Sequence, residues 1–260
     1  MSGPSPIPII EKTFFAAWSH WGGLHGPLYS SGSVCSLKTG IASADLNMAW
    51  NEKPLRKDDR FHLRIIKEDF QRAGLPFWWW VFPHAQGPFT SALLQEEGFF
   101  LVETIPCFLA DLAIPPVVSI AVDSVRIVPV HHEENLRLWE DVSFQAFDFP
   151  VNTRNQYRKF LDALDLAQGA PQVLFLAFFD GKPVATAMLF LEKDAGGIYF
   201  VSTLSKYRRQ GIGLAVTLAA MEKARRAGAR YATLQSSPEG LSVYQQAGFR
   251  EYCRVQVYRV

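Results

Sequence analysis

The chain ends each of its halves on the same skeleton, and that repeat limits the folds open to it more than any other feature. In the first half Arg72-Ala73-Gly74 closes a helical stretch, Asp58–Ala73, ahead of the aromatic run Phe77–Phe82. In the second, Arg226-Ala227-Gly228 closes another ahead of Tyr231–Gln235. Leu94-Gln95-Glu96-Glu97-Gly98-Phe99 then answers Tyr244-Gln245-Gln246-Ala247-Gly248-Phe249, with the glycine anchors 24 residues apart in one half and 20 in the other. A glycine just past a helix supplies the left-handed residue that stops it, and the phenylalanine starts the next strand from beneath the sheet. The shared helix–strand–helix–strand order predicts two copies of one α/β unit.

Leu112-Ala-Ile-Pro-Pro-Val-Val-Ser119 reads as the link between them, because paired prolines stop regular hydrogen bonding. The sequence therefore predicts domains at 1–118 and 119–260. Residues 1–118 carry nine Lys/Arg against eleven Asp/Glu, a net −2, and residues 119–260 carry seventeen against fourteen, a net +3. The second half is the better place for an anion. It reads as strands at Val125–Val130, Val173–Phe179, Val184–Leu191, Ile198–Leu204, Tyr231–Gln235 and Tyr252–Val260. Helices are expected at Glu133–Phe147, Thr153–Ala167, Leu214–Ala227 and Leu241–Ala247.

Composition removes several classes. A formal charge of +1 gives no global reason to expect nucleic acid or an anionic membrane as partner. Cys35, Cys107 and Cys253 are odd in number and widely spaced, which argues against both a disulfide framework and a thiol metal cluster. His131-His132 has no third ligand in register, so no metal is expected. The apolar runs are too short to span a bilayer, and MSGPSPIPII lacks a basic region before its apolar stretch. A cytoplasmic protein is the expectation.

The chemistry sits in Val201-Ser-Thr-Leu-Ser-Lys-Tyr-Arg208-Arg-Gln-Gly211-Ile-Gly213-Leu214. An apolar strand ends, a basic turn follows, and two glycines open an amphipathic helix. Free N–H groups at such a start, with the helix dipole behind them, suit a phosphate. The segment has neither the Lys-Ser/Thr of a Walker loop nor the spacing of a dinucleotide fingerprint, so it is a pyrophosphate cradle of another kind.

Arg208-Arg209-Gln210-Gly211-Ile212-Gly213 resembles the acyl-CoA-binding motif Arg/Gln-x-x-Gly-x-Gly/Ala of the GNAT superfamily of N-acyltransferases. The likeness covers Val125–Val260 and includes Tyr244 and the Gly248-Phe249 pair. It implies two GNAT-like domains, each a mixed, largely antiparallel central sheet flanked by helices, with the first copy degenerate. It also implies acetyl-CoA as cosubstrate, no metal, and an amine acceptor on a small molecule, peptide or protein. Val201, Ser202 and Thr203 would then offer backbone groups to the pantetheine arm. Arg209, Gln210, Gly211, Ile212, Gly213 and Leu214 would supply N–H groups to the pyrophosphate. Arg208 would shape the loop or meet a phosphate, Ser237 would make a polar contact to CoA, and Tyr244 would protonate the departing thiolate. The carboxylate that many relatives use as base is missing here, since Ile198–Leu204 holds none and the next strand ends in Gln235. Glu192, Glu239, Asp148 and a water relay stay open. A module that keeps acyl-CoA for regulation or sensing without transfer is the alternative reading.

The first half fails the same motif. Seventeen residues separate Gly211 from Gly228, and the same count back from Gly74 lands on Lys57-Asp58-Asp59. Carboxylates there suit a helix N-cap and repel a pyrophosphate. Leu94 stands where Tyr244 does, so this half is expected to bind no CoA. Within Trp78-Trp79-Trp80 the residues read as core packing, with Trp79 also a candidate for an acceptor groove.

Overall fold

A computed structural model describes residues 5–26, 28–114 and 125–260; most of the expected link lies outside them. The elements run α1 (Pro6–Gly23), β1 (Tyr29–Ser31), β2 (Val34–Leu37), β3 (Met48–Asn51), α2 (Arg60–Ala73), β4 (Trp78–Val81), α3 (Pro88–Glu96) and β5 (Phe100–Asp111). They continue with β6 (Val125–Pro129), α4 (Glu133–Ala146), α5 (Arg154–Asp162), β7 (Gln172–Phe179), β8 (Lys182–Glu192), β9 (Ala195–Thr203), α6 (Ile212–Arg226), β10 (Tyr231–Gln235), α7 (Leu241–Gln246) and β11 (Arg250–Arg259).

These elements form two compact units, and each draws on both sides of residue 118. One comprises Met1–Ala17, Cys107–Phe149 and Leu164–Tyr252; the other comprises Trp18–Pro106, Pro150–Ala163 and Cys253–Val260. Both have one topology. In the second, β1, β2 and β3 pair antiparallel, β3 and β4 parallel, and β4 takes the end of β11 antiparallel. In the first, β7, β8 and β9 pair antiparallel, β9 and β10 parallel, and β10 takes the end of β5 antiparallel. The strand that follows each copy's last helix thus starts in one unit and ends in the other. Each sheet is mixed and largely antiparallel, as the repeat predicts.

The anchors behave as their chemistry requires. Gly74, Gly98, Gly228 and Gly248 all have positive φ. Phe99 and Phe249 are buried immediately ahead of β5 and β11. In the unit built mainly from the first half, Leu63, Ile66 and Phe70 of α2 pack with Trp79, Val81, Leu94 and Phe99. Phe70 stacks on Phe77 at 4.1 Å, and Trp79 meets Phe99 edge-on at 5.4 Å. Trp79 is fully buried and donates its indole N–H to the Asn51 side chain at 3.0 Å, so it is a core residue with no face left for a ligand.

In the other unit period-two alternation splits β8. Ala185, Ala187 and Leu189 join the core under α6, and Thr186, Met188 and Phe190 are buried on the opposite face. Trp139 of α4 meets Phe200 at 5.9 Å on that face. Two elements differ from the sequence reading. The helix expected at Thr153–Ala167 stops at Asp162, because the Asp165 carboxylate accepts from the Ala167 N–H at 2.8 Å and offers the chain a turn instead. The stretch from Pro6 to Gly23 is a helix, with Ile10, Phe14, Ala17 and Trp21 buried at helical spacing.

Where Ala247 stands in one copy, Glu97 stands in the other, buried and bound by two arginines. Arg64 holds both its oxygens at 2.7 and 2.9 Å and Arg60 holds one at 2.7 Å. Arg64, then Arg60, keep the Glu97 carboxyl below its ordinary range. A depressed folded-state pKa stabilises above the unfolded value and loses that stabilisation as pH falls through the folded one. Thermal melts from pH 7 to pH 3 should therefore show a steeper acid loss for the native chain than for Glu97→Gln.

Candidate active site

The sheet opens between β9 and β10. Their parallel pairing covers only Tyr231↔Ala195, Ala232↔Gly196 and Thr233↔Gly197, although β9 runs on to Thr203 and β10 to Gln235. Just past that point β9 bulges. Its register with β8 shifts between Thr186↔Ser202 and Met188↔Tyr199, and Phe200 takes φ 51°. Such a bulge turns ladder N–H groups away from the neighbouring strand. Thr186 holds it, donating its hydroxyl to the Phe200 carbonyl at 2.9 Å. Its 2.7 Å contact with the Ser202 hydroxyl must then be donated by Ser202, because Thr186 has one proton. In the other copy β3 and β4 also pair over three residues, Met48↔Trp78 to Trp50↔Trp80, but these strands are only four residues long and the Trp79–Asn51 bond ties them together.

The basic turn lies at the outer end of the opening. Arg208 donates to the Thr203 carbonyl at 3.0 Å and so fixes the turn to the end of β9. Arg209 and Gly211 are both left-handed, at φ 61° and 77°, a turn geometry in which N–H groups line a concavity for an anion. Gly211 caps α6 without a side chain, and the Ala215 N–H bonds to its carbonyl at 2.9 Å. The N–H groups of the first turn ahead of Ala215 are those a helix leaves without intrahelical partners. Thr203 Oγ1 lies 3.6 Å from where a Cβ on Gly213 would stand. Lys206, Arg208 and Arg209 are exposed. Three other arginines are paired with carboxylates: Arg225 and Arg226 reach Glu222 at 2.7 and 2.6 Å, and Arg230 reaches Asp111 at 3.4 Å. Hydrogen bonds from Arg225 and Arg226 pull the Glu222 carboxyl down to about 2.

Tyr244 is buried on the α6 face of the sheet, edge-on to Phe249 at 6.1 Å, and burial pushes its phenol up to about 12. It keeps its proton throughout the neutral range. Ser237 accepts from the Gly240 N–H at 3.3 Å, so its hydroxyl is engaged as a turn cap. On β10, Thr233 Oγ1 and Gln235 Nε2 share the face away from Ala232 and Leu234, buried with no hydrogen-bond partner. Orphaned polar atoms beside an opening are what an amide-bearing ligand would satisfy. Glu192 ends β8 opposite Ala195, near Lys12 at 3.9 Å. That is about 16 Å along β9 from the bulge at Phe200, five strand steps, so its carboxylate stands apart from the opening. Asp148 and Glu239 are exposed. Among the described residues no group of three or more His, Cys, Asp or Glu could hold a metal. No helix of theirs is long and apolar enough to cross a membrane.

An open pair of parallel strands, a bulge and a side-chain-free helix start lie together at one end of β9. Residues 134–249 match the family model described as "Acetyltransferase (GNAT) family". The fold is similar over 99% of this chain and 96% of the other to a GCN5-related N-acetyltransferase from Kribbella flavida, with a TM-score of 0.76 and 18% identity. A GCN5-related N-acetyltransferase from Sphaerobacter thermophilus gives a TM-score of 0.64 at 15% identity, covering 88% of this chain and 76% of that one. A tandem GNAT protein from the clavulanic acid biosynthesis pathway gives 0.58 at 14%, covering 89% of this chain and 80% of that one. No curated protein matches this chain.

Gly240 carries a local constraint on the site. A Cβ there would stand 2.7 Å from Cε2 of Tyr244 and 3.4 Å from Oγ of Ser236. Gly240→Ala should therefore displace the tyrosine ring and destabilise the chain by about 1–3 kcal/mol, an overpacking effect that urea denaturation would measure.

Proposed function

We propose that this protein is an N-acetyltransferase that moves an acetyl group from acetyl-CoA to a primary amine by direct attack. The observation that carries the reading is the parting of β9 from β10 directly beside the bulge at Phe200. Acetyl-CoA supplies an activated thioester. Residues Val201, Ser202 and Thr203 of the parted strand are available to line the pantetheine arm, and the orphaned Gln235 amide can donate to one of its carbonyls. The turn from Arg209 to Leu214 cradles the pyrophosphate with backbone N–H groups, and Arg208 holds that turn in shape. Ser237 acts through the turn before α7.

Val201 and Thr203 lie on the α6 face with Tyr244, and Phe200 and Ser202 on the α4 face. The opening thus gives access from both faces of the sheet. An amine arriving from the α4 side loses its proton to water or to Asp148 or Glu239, and ladder N–H groups freed by the bulge stabilise the oxyanion. Tyr244 delivers its proton to sulfur from the α6 side. Tyr244→Phe keeps the ring in place and should lower kcat about a hundredfold, the ordinary worth of a placed acid, while calorimetry gives an unchanged acetyl-CoA affinity.

Residues 1–118 are the degenerate copy. Asp59 there accepts from the Arg56 N–H at 2.7 Å, filling with a carboxylate the place where the other copy presents its cradle, and the Trp79–Asn51 bond ties β3 to β4. Titration with CoA should give one bound molecule per chain. A second reading, a CoA-binding regulatory module, draws on the absence of a carboxylate from β9 and β10. Acetyl-CoA-dependent acetylation of any amine excludes it. The odd number and wide spacing of Cys35, Cys107 and Cys253 support a cytoplasmic setting.

A further inference from the structure

We infer that the acceptor is an amine carrying an aromatic or compact apolar group, its ring lying against Phe147 and Phe200 and its cation facing Asp148. The inference rests on the acyltransferase reading above and names the acceptor class for that site.

The wall begins at the end of α4. The Phe149 N–H bonds to the Phe144 carbonyl at 3.2 Å, and the Asp148 N–H to that of Gln145 at 3.3 Å, the pattern that stops a helix on one left-handed residue. That residue is Asp148, at φ 53°, where glycine would cost about 1 kcal/mol less. The strained choice puts an exposed carboxylate between two phenylalanines. Phe149 turns inward, to 5.9 Å from Phe144. Phe147 stacks on Phe149 at 5.6 Å, stays 38% exposed, and meets Phe200 edge-on at 6.0 Å.

Phe200 is the bulge residue itself, also held left-handed, so this platform borders the place where the thioester is expected. Trp139 backs Phe200 from beneath. An exposed aromatic ring against a strained one, beside the reacting bond, is a surface for another ring or alkyl group. A protonated amine one or two carbons away then falls near the Asp148 carboxylate. The turn offers that one carboxylate, whereas a polyamine would need several. The next acidic group inward, Glu140, is buried and bonded to Arg137 at 2.7 Å.

The test uses the full chain with acetyl-CoA and compares kcat/KM for 2-phenylethylamine, ethanolamine and spermidine. Phenylethylamine should lead by about tenfold or more, the worth of one good aromatic contact with its burial. Phe147→Ala should reduce that lead to about threefold or less and leave the acetyl-CoA KM unchanged. Asp148→Asn should raise KM for every amine, and Asp148→Gly, which relieves the backbone, should raise it as much if charge is the cause. A preference for spermidine or ethanolamine, or a lead that Phe147→Ala leaves intact, overturns the inference. If no amine is acetylated, the acyltransferase reading has failed. Calorimetry of the same amines on the CoA-saturated protein then decides the acceptor site alone: phenylethylamine binding that Phe147→Ala weakens supports it, and equal or absent binding overturns it.

Discussion

Two neighbouring parallel strands that stop pairing after three residues impose a cost the rest of the unit is arranged to meet. Backbone groups along β9 beyond Gly197 lose their partners on β10. The fold does not close that gap from within. It props it, with the Phe200 bulge on one side, the Thr186 hydroxyl holding the bulge carbonyl, and Arg208 tying the turn to Thr203. Groups left open in this way are available to a ligand, and in the proposed reaction the α6 helix start and the Tyr244 phenol act beside them.

The paired copy solves the same topological problem in the opposite way. There the strands remain joined and a tryptophan indole bonds across them to Asn51. Glu97 gathers Arg60 and Arg64, and the Lys67 ammonium donates to its carbonyl at 2.6 Å, so the charged groups serve packing. In the copy with the cradle, Glu222 and Asp111 neutralise the far end of the basic cluster and leave the cations of the turn exposed.

What was legible in the sequence was what is local. Gly211 and the basic turn, the glycine stops at 74, 98, 228 and 248, and the strand at Tyr231–Gln235 depend on neighbours a few residues away, and the structure has them where the spacing predicts. The bulge at Phe200 was not legible, because a bulge is a property of pairing and Phe200 has no residue type that demands a left-handed backbone. Helix α1 hid behind its prolines, although Pro6 sits at the first helical position, where a proline fits. The helix that stops at Asp162 was overcalled because its apolar spacing continues while the Asp165 carboxylate takes over the backbone. Trp79 could be read as groove or core until its indole partner was known.

The exchanged strands also change what damage to the gene would mean. The last eight residues, from Cys253, complete the sheet of the unit built mainly from the beginning of the chain. A premature stop near that codon would spare every residue of the cradle and Tyr244 while stripping an edge from the opposite copy. The position of such a lesion along the message therefore misidentifies the part of the molecule that it injures.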